Sequence, residues 1–171
     1  MLKKSKAAVM IAVAAALLII SLIAPSECLI AQCDGRLLFA WRIRPGESFE
    51  ITFTHSLNLS PITDVIEWTG EELMVRKSVF KAFGAGVPVP SDGIGTELIH
   101  REDGYYELTG IDKPMDSITI LTQEAPNHRV TFNGNEVFLL ELTGSGKQVE
   151  IKTEYVTFFS RLILLEGRHA G

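Results

Sequence analysis

Beyond residue 24 the chain lacks any long stretch with the 3.6-residue periodicity of an amphipathic helix. That excludes a helical bundle and a regularly alternating α/β fold. A basic block is also missing. Lys3, Lys4 and Lys6 are the only charges before Glu27, so taking them from the 16 basic residues leaves 13 against 21 acidic ones, a net of −8 for the remainder. Such a surface has no cationic footprint for a phosphate backbone, and nucleic acid is excluded as a partner. Cysteine is scarce, with Cys28 and Cys33 the only two. Five residues along a strand separate them by about 16 Å, beyond disulfide reach, so they are read as unpaired. Too few ligands of their kind lie nearby for a metal site. The sequence has no Gly-x-Ser-x-Gly elbow, no internal repeat and no low-complexity segment.

What is present begins with three lysines and then Ala7 to Ala24, an uncharged and mostly aliphatic run of 18 residues. As a helix it is about 27 Å long, at the short end of what spans a bilayer. Basic residues before it and acidic ones after it set the amino terminus in the cytoplasm and the rest outside. A cleaved secretory signal is the competing reading. The run is longer than most signal cores, and Pro25 stands where cleavage would fall, so a retained single-pass anchor is favoured. The chain therefore divides into 1–26, an anchor or signal using residues 7–24, and 27–171, an extracytoplasmic domain on the periplasmic or outer side of the inner membrane.

From Cys28 onward the signal is strand, turn, strand. Leu29–Gln32 and Arg36–Ile43 flank Asp34-Gly35; Phe49, Ile51 and Phe53 alternate with polar residues; Asn133-Gly134 is the strongest hairpin signal. Val65–Trp68, Leu73–Phe83, Glu97–His100, Tyr105–Leu108, Val130–Phe132, Val137–Leu140 and Gln148–Tyr155 supply the other strands. Glu71–Lys81 also has helix-favouring residues, and its alternation is irregular around Ser78, but it is read as strand. The expected fold is all-β, an antiparallel β-sandwich or barrel behind an N-terminal transmembrane helix. Val156–Leu165 is too short for a second span and is read as an edge cover.

Polar chemistry concentrates between Thr54 and Pro88. His55, Ser56, Ser60, Pro61, Asp64 and Glu67 lie close together in sequence, and Gly84, Gly86 and Pro88 mark a tight bend followed by extended chain. These nine form the candidate binding surface. A catalytic alternative uses His55 as base with Ser56 and Asp64, but neighbouring strand residues point to opposite faces, which counts against a His55–Ser56 pair. Metal binding by His55, Asp64 and Glu67 matches no known ligand spacing. No metal or cofactor is implied. His100, His128 and His169 are read as solvated surface residues, and Trp41 and Trp68 as core or interface aromatics.

Thr54-His55-Ser56, Ser60-Pro61 followed by an acidic residue, and the later Phe80 to Pro88 together resemble the bacterial family called domain of unknown function 1850. His55, Ser56, Pro61, Gly84, Gly86 and Pro88 match its pattern. The chain departs from it at Asp64, where Glu is expected, at Ala82, where Ser is common, and at Val87, where Leu is usual. The resemblance implies a small anchored or exported protein, accessory to a tripartite ATP-independent periplasmic (TRAP) transporter of the TAXI type. The implied partner is a transporter permease or its solute-binding protein. The function expected is a non-catalytic accessory or binding protein; the alternative is a small hydrolase or metal-dependent enzyme using His55, Ser56 and Asp64.

Overall fold

The computed structural model describes residues 2–56, 59–83, 87 and 93–158; side chains at 2–5, 7, 8, 17, 18, 21 and 22 are not among those described. Gly84, Gly86, Pro88, His169 and most of Val156–Leu165 fall outside this set. The elements are α1 (Leu2–Ile23), β1 (Ser26–Cys33), β2 (Arg36–Arg42), β3 (Ser48–Thr54), β4 (Pro61–Trp68), β5 (Leu73–Phe80), β6 (Glu97–His100), β7 (Tyr106–Met115), β8 (Ile118–Leu121), β9 (Arg129–Phe132), β10 (Asn135–Phe138), α2 (Leu139–Thr143) and β11 (Gln148–Val156). The strands form two antiparallel sheets, β2-β1-β11-β8 and β10-β9-β3-β4-β5-β7-β6. Between the two alternatives expected, this is a sandwich.

The turn chemistry acts as the sequence suggests. Asp34 and Gly35 (φ 50° and 75°) and Asn133 and Gly134 (φ 47° and 78°) adopt the left-handed pairs that close two-residue hairpins. Gln148–Val156 inserts β11 beside β1, pairing Ser26 with Val156 through to Gln32 with Glu150. Both cysteines lie on β1 and are free: Cys33 faces the core between the sheets, whereas Cys28 packs with Ile30 and Val156 in a separate cluster.

Alternation puts Phe49 and Ile51 of β3, Ile66 and Trp68 of β4, and Leu73 of β5 against Leu29, Ala31, Val149 and Ile151 of the smaller sheet. Each fully buried side chain of this size contributes roughly 1.5–3 kcal/mol. Trp68 is thus a core residue, while Trp41 is half-buried and stacks on Phe39 at 4.1 Å. A second cluster holds Ile62, Phe80, Leu108 and Val87, and none of its residues comes from the smaller sheet. The seven-stranded sheet extends past its partner, and Val87, Gly95 and Thr96 help to cover the overhang.

Three elements differ from expectation. β7 continues from Leu108 to Met115, and β8 follows it. The second half of β7 was hidden by an irregularity: Val75 pairs with Lys113 but Lys77 with Thr109, so Gly110, Ile111 and Asp112 bulge opposite Arg76. The same bulge residue, Arg76, breaks the alternation of β5, which explains its irregular pattern. Arg76 secures the bulge outside, its Nε donating to Glu67 at 2.9 Å and an Nη to Asp112 at 2.7 Å. The third difference is α2, where a strand was expected to continue to Leu140; pairing with β9 ends at Phe138, and Leu139 N–H donates to the His128 carbonyl at 2.9 Å.

α1 is 22 residues long, and its described side chains, including Val9, Met10, Ile11, Val13, Ile19 and Ile20, are exposed. Among the described residues no helix is long and apolar enough to cross a membrane.

Gly110 (φ 65°) makes the bulge fit beneath the chain at Thr96, since an added Cβ would lie 2.1 Å from Thr96 Oγ1 and 3.1 Å from its Cβ. Gly110→Ala is expected to lower stability by about 1–3 kcal/mol in urea unfolding, through left-handed strain and this clash. Adding Thr96→Ala should recover part of the loss; strict additivity of the two changes would show that the clash is absent.

Candidate functional site

Between the main core and the overhang lies a cavity of about 770 Å³. Its floor is the inward face of β3, β4, β5 and β7, and its far wall includes Ile118 and Ile120 of β8. The chain crosses from one sheet to the other between Met115 and Ile118, both of which line the space. The bulge serves this site directly. It re-aims β7 so that Ile111, Lys113 and Met115 all border the cavity.

Most of the lining is apolar, which makes the polar exceptions informative. Asp64 occupies an inward position on β4, in phase with Ile62 and Ile66. Directly across the strand pair stands Ser78 of β5, which is 1% exposed. Its hydroxyl has no hydrogen-bond partner among the described residues. It nonetheless stands near enough to Asp64 to stabilise a charge there, without the geometry of a full hydrogen bond. Burial pushes the Asp64 carboxyl above its ordinary 3.8, and Ser78 offsets part of that rise. His128 enters from the segment before β9, its ring 5.3 Å from that of Phe53. Its Nδ1 is buried and has no hydrogen-bond partner among the described residues, and burial lowers its pKa from the ordinary 6.5, favouring the neutral imidazole. His128 is therefore a cavity residue and not the solvated surface histidine expected.

The residues singled out from sequence divide between three places. Of the six that are described, Asp64 alone lines the cavity. Glu67 faces the opposite side of the sheet, held by Arg76, so it does not converge with Asp64. His55, Ser56 and Ser60 belong to the β3–β4 loop, where His55 N–H donates to the Ser60 carbonyl at 2.9 Å and Leu59 N–H to the His55 carbonyl at 3.0 Å. Ser56 is exposed, Ser60 is buried, and Pro61 opens β4 on its exposed side. Among the described residues no three His, Cys, Asp or Glu side chains form a group able to hold a metal.

Gly84, Gly86 and Pro88 lie outside the described residues. Ile62 pairs with Phe80, so the end of β5 meets the start of β4. Val87 packs on Ile62, Phe80 and Leu108. The two sequence motifs thus meet at one end of the larger sheet. Exposed Leu59 and Phe83 mark this end, with Phe83 against Tyr106 at 4.5 Å.

The family model described as Domain of unknown function (DUF1850) matches residues 49–139, more than half of the chain and the segment that contains Asp64, Ser78 and His128. No curated protein and no solved structure matches the chain.

The two half-buried titratable groups set opposite pH trends. The raised Asp64 pKa means that the folded state holds its proton more tightly, so stability falls as pH rises from 3.8 through the folded value. For His128, lowered in the folded state, stability is lost as pH falls from 6.5 through the folded value. Asp64→Asn should therefore stabilise the protein at pH 7 and lose that advantage near pH 3.8 or below, read by urea midpoints across the range. An advantage that does not change with pH would place Asp64 in water.

Proposed function

The chain belongs to the family described as a domain of unknown function (DUF1850), and from that premise we propose a non-catalytic, membrane-anchored binding protein. It holds a small solute in the Asp64 cavity on the extracytoplasmic side and serves a TRAP-type solute transporter. The observation that carries this reading is the cavity itself. It is largely apolar, and two polar atoms buried in its walls, Ser78 Oγ and His128 Nδ1, have no hydrogen-bond partner among the described residues.

The anchor is supported by α1. Val9, Met10, Ile11, Val13, Ile19 and Ile20 present more than half of their surfaces, an arrangement that water disfavours and lipid accommodates. Lys3, Lys4 and Lys6 before it and the acidic domain after it supply the orientation. The chain from α1 joins the fold beside Ile43, whose N–H donates to the Glu27 carbonyl at 3.2 Å. The following turn meets Trp68, where Trp68 N–H donates to Glu47 at 2.9 Å. The His55–Ser60 loop stands at the other end of β3, so an anchored domain would hold it away from the bilayer. That end suits contact with a transporter permease or its solute-binding protein. The transporter itself enters through the family resemblance.

The catalytic alternative gains less. Ser56 is exposed in the loop while Asp64 faces the cavity, and the hydroxyl opposite Asp64 belongs to Ser78.

Two measurements test this function. The full chain should stay in the membrane pellet at alkaline pH, and Val13→Arg should release much of it, since a central arginine costs about 3 kcal/mol on insertion. Retention of the arginine variant at the wild-type level would contradict a spanning helix. A photo-crosslinker at Leu59, 73% exposed, should capture the transporter permease or its solute-binding protein in intact cells. Capture of neither would contradict the accessory role.

A further inference from the structure

We infer that the cavity is a site for an organic ammonium ion carried on an apolar body, its N–H groups directed to Asp64 and Ser78. This rests on the reading of the cavity as a solute site and adds the chemical class of the solute.

Two polar groups on adjacent strands, Asp64 and Ser78, meet one need, and His128 lies beyond β3 on the far side of the same floor. Asp64 occupies an inward strand position between Ile62 and Ile66, where an aliphatic side chain would be expected. Among the described residues no cation forms an ion pair with it. An inward carboxylate without a partner is costly, and a hydrogen-bonded cation is what relieves it. Ser78 Oγ, opposite Asp64 and 1% exposed, offers lone pairs and has no hydrogen-bond partner among the described residues. The buried Nδ1 of neutral His128 accepts a hydrogen bond when the ring proton sits on Nε2. An alkylammonium brings N–H donors to the Asp64 carboxylate and the Ser78 hydroxyl, and His128, two strands from Asp64, is left to the far end of the solute.

The competing head groups fit less well. A carboxylate would set like charge beside Asp64. An alcohol has one donor and brings no counter-charge. Lys113 also borders the cavity, but it is exposed, so water and salt screen its charge. The remaining wall, with Phe53, Ile62, Ile66, Ile111 and Met115, suits an aliphatic or aromatic body. At about 770 Å³ the space lies in the range of small-molecule sites.

The test uses the full chain in lipid nanodiscs and calorimetric titration with three probes sharing one body: phenethylamine, phenylethanol and hydrocinnamate. Phenethylamine should bind about tenfold or more tightly than phenylethanol, with hydrocinnamate weakest. Asp64→Asn should weaken the amine about tenfold or more and leave the alcohol nearly unchanged. Ser78→Ala, which removes one acceptor and no charge, should weaken the amine severalfold, and it decides the matter if the Asn variant does not fold. Equal or tighter binding of the alcohol or the acid overturns the ammonium assignment and leaves the cavity a solute site. So does amine binding insensitive to both substitutions. If none of the three probes binds the wild type, the ammonium site and the solute-binding reading fail together.

Discussion

Seven strands cannot be covered by four, and most of what is distinctive in this protein follows from that mismatch. The smaller sheet buries Phe49, Ile51, Ile66, Trp68 and Leu73, which make up the main core with its own Leu29, Val149 and Ile151. Past that boundary the larger sheet still turns an inward face, and Ile62, Phe80 and Leu108 need another cover, which Val87 helps to supply. The space left between the two clusters is the cavity. A fully matched sandwich would have closed there with aliphatic side chains. Here an acid, a hydroxyl and an imidazole stand in aliphatic positions instead.

The bulge at Arg76 and Gly110–Asp112 connects the fold to the site. One extra residue on β5 and two more on β7 move Ile111, Lys113 and Met115 to the cavity border. On the outer face the same distortion is fastened by Arg76 to Glu67 and Asp112. Each of these partly exposed pairs contributes little to stability by itself, on the order of 0–1 kcal/mol. Their value lies in holding the bulged register. Glu67, first singled out as a site residue, acts on the cavity only through this outer clamp.

Much of the fold was legible because turn chemistry is local. Asp34-Gly35 and Asn133-Gly134 announce their hairpins, and Phe49, Ile51 and Phe53 announce a half-buried strand. Bulges are not local in that sense, since the inserted residue reverses the phase without any composition signal, and this concealed the second half of β7. The family assignment was legible from two short motifs, and the structure brings both to one end of the larger sheet. The cavity was half legible. Asp64 shares the phase of Ile62 and Ile66, which marks an acid on an inward face. His128 shares the phase of Val130 and Phe132 once that strand is extended back by one step. Ser78 showed itself only as the irregular alternation of β5. Grouping residues by nearness in sequence joined Asp64 to His55, Ser56 and Glu67, whereas the fold gives it Ser78 and His128.

The central claim is that Asp64 is an inward carboxyl, desolvated in a cavity and opposed by Ser78. Carbon-detected NMR of the Asp64 carboxyl over a pH titration tests it most directly. The account predicts a midpoint above the ordinary 3.8, moving higher still in Ser78→Ala, because the hydroxyl that lowers it is gone. A midpoint at 3.8 that ignores the Ser78 substitution would mean a solvated carboxylate, and the cavity would lose the group on which its recognition chemistry depends.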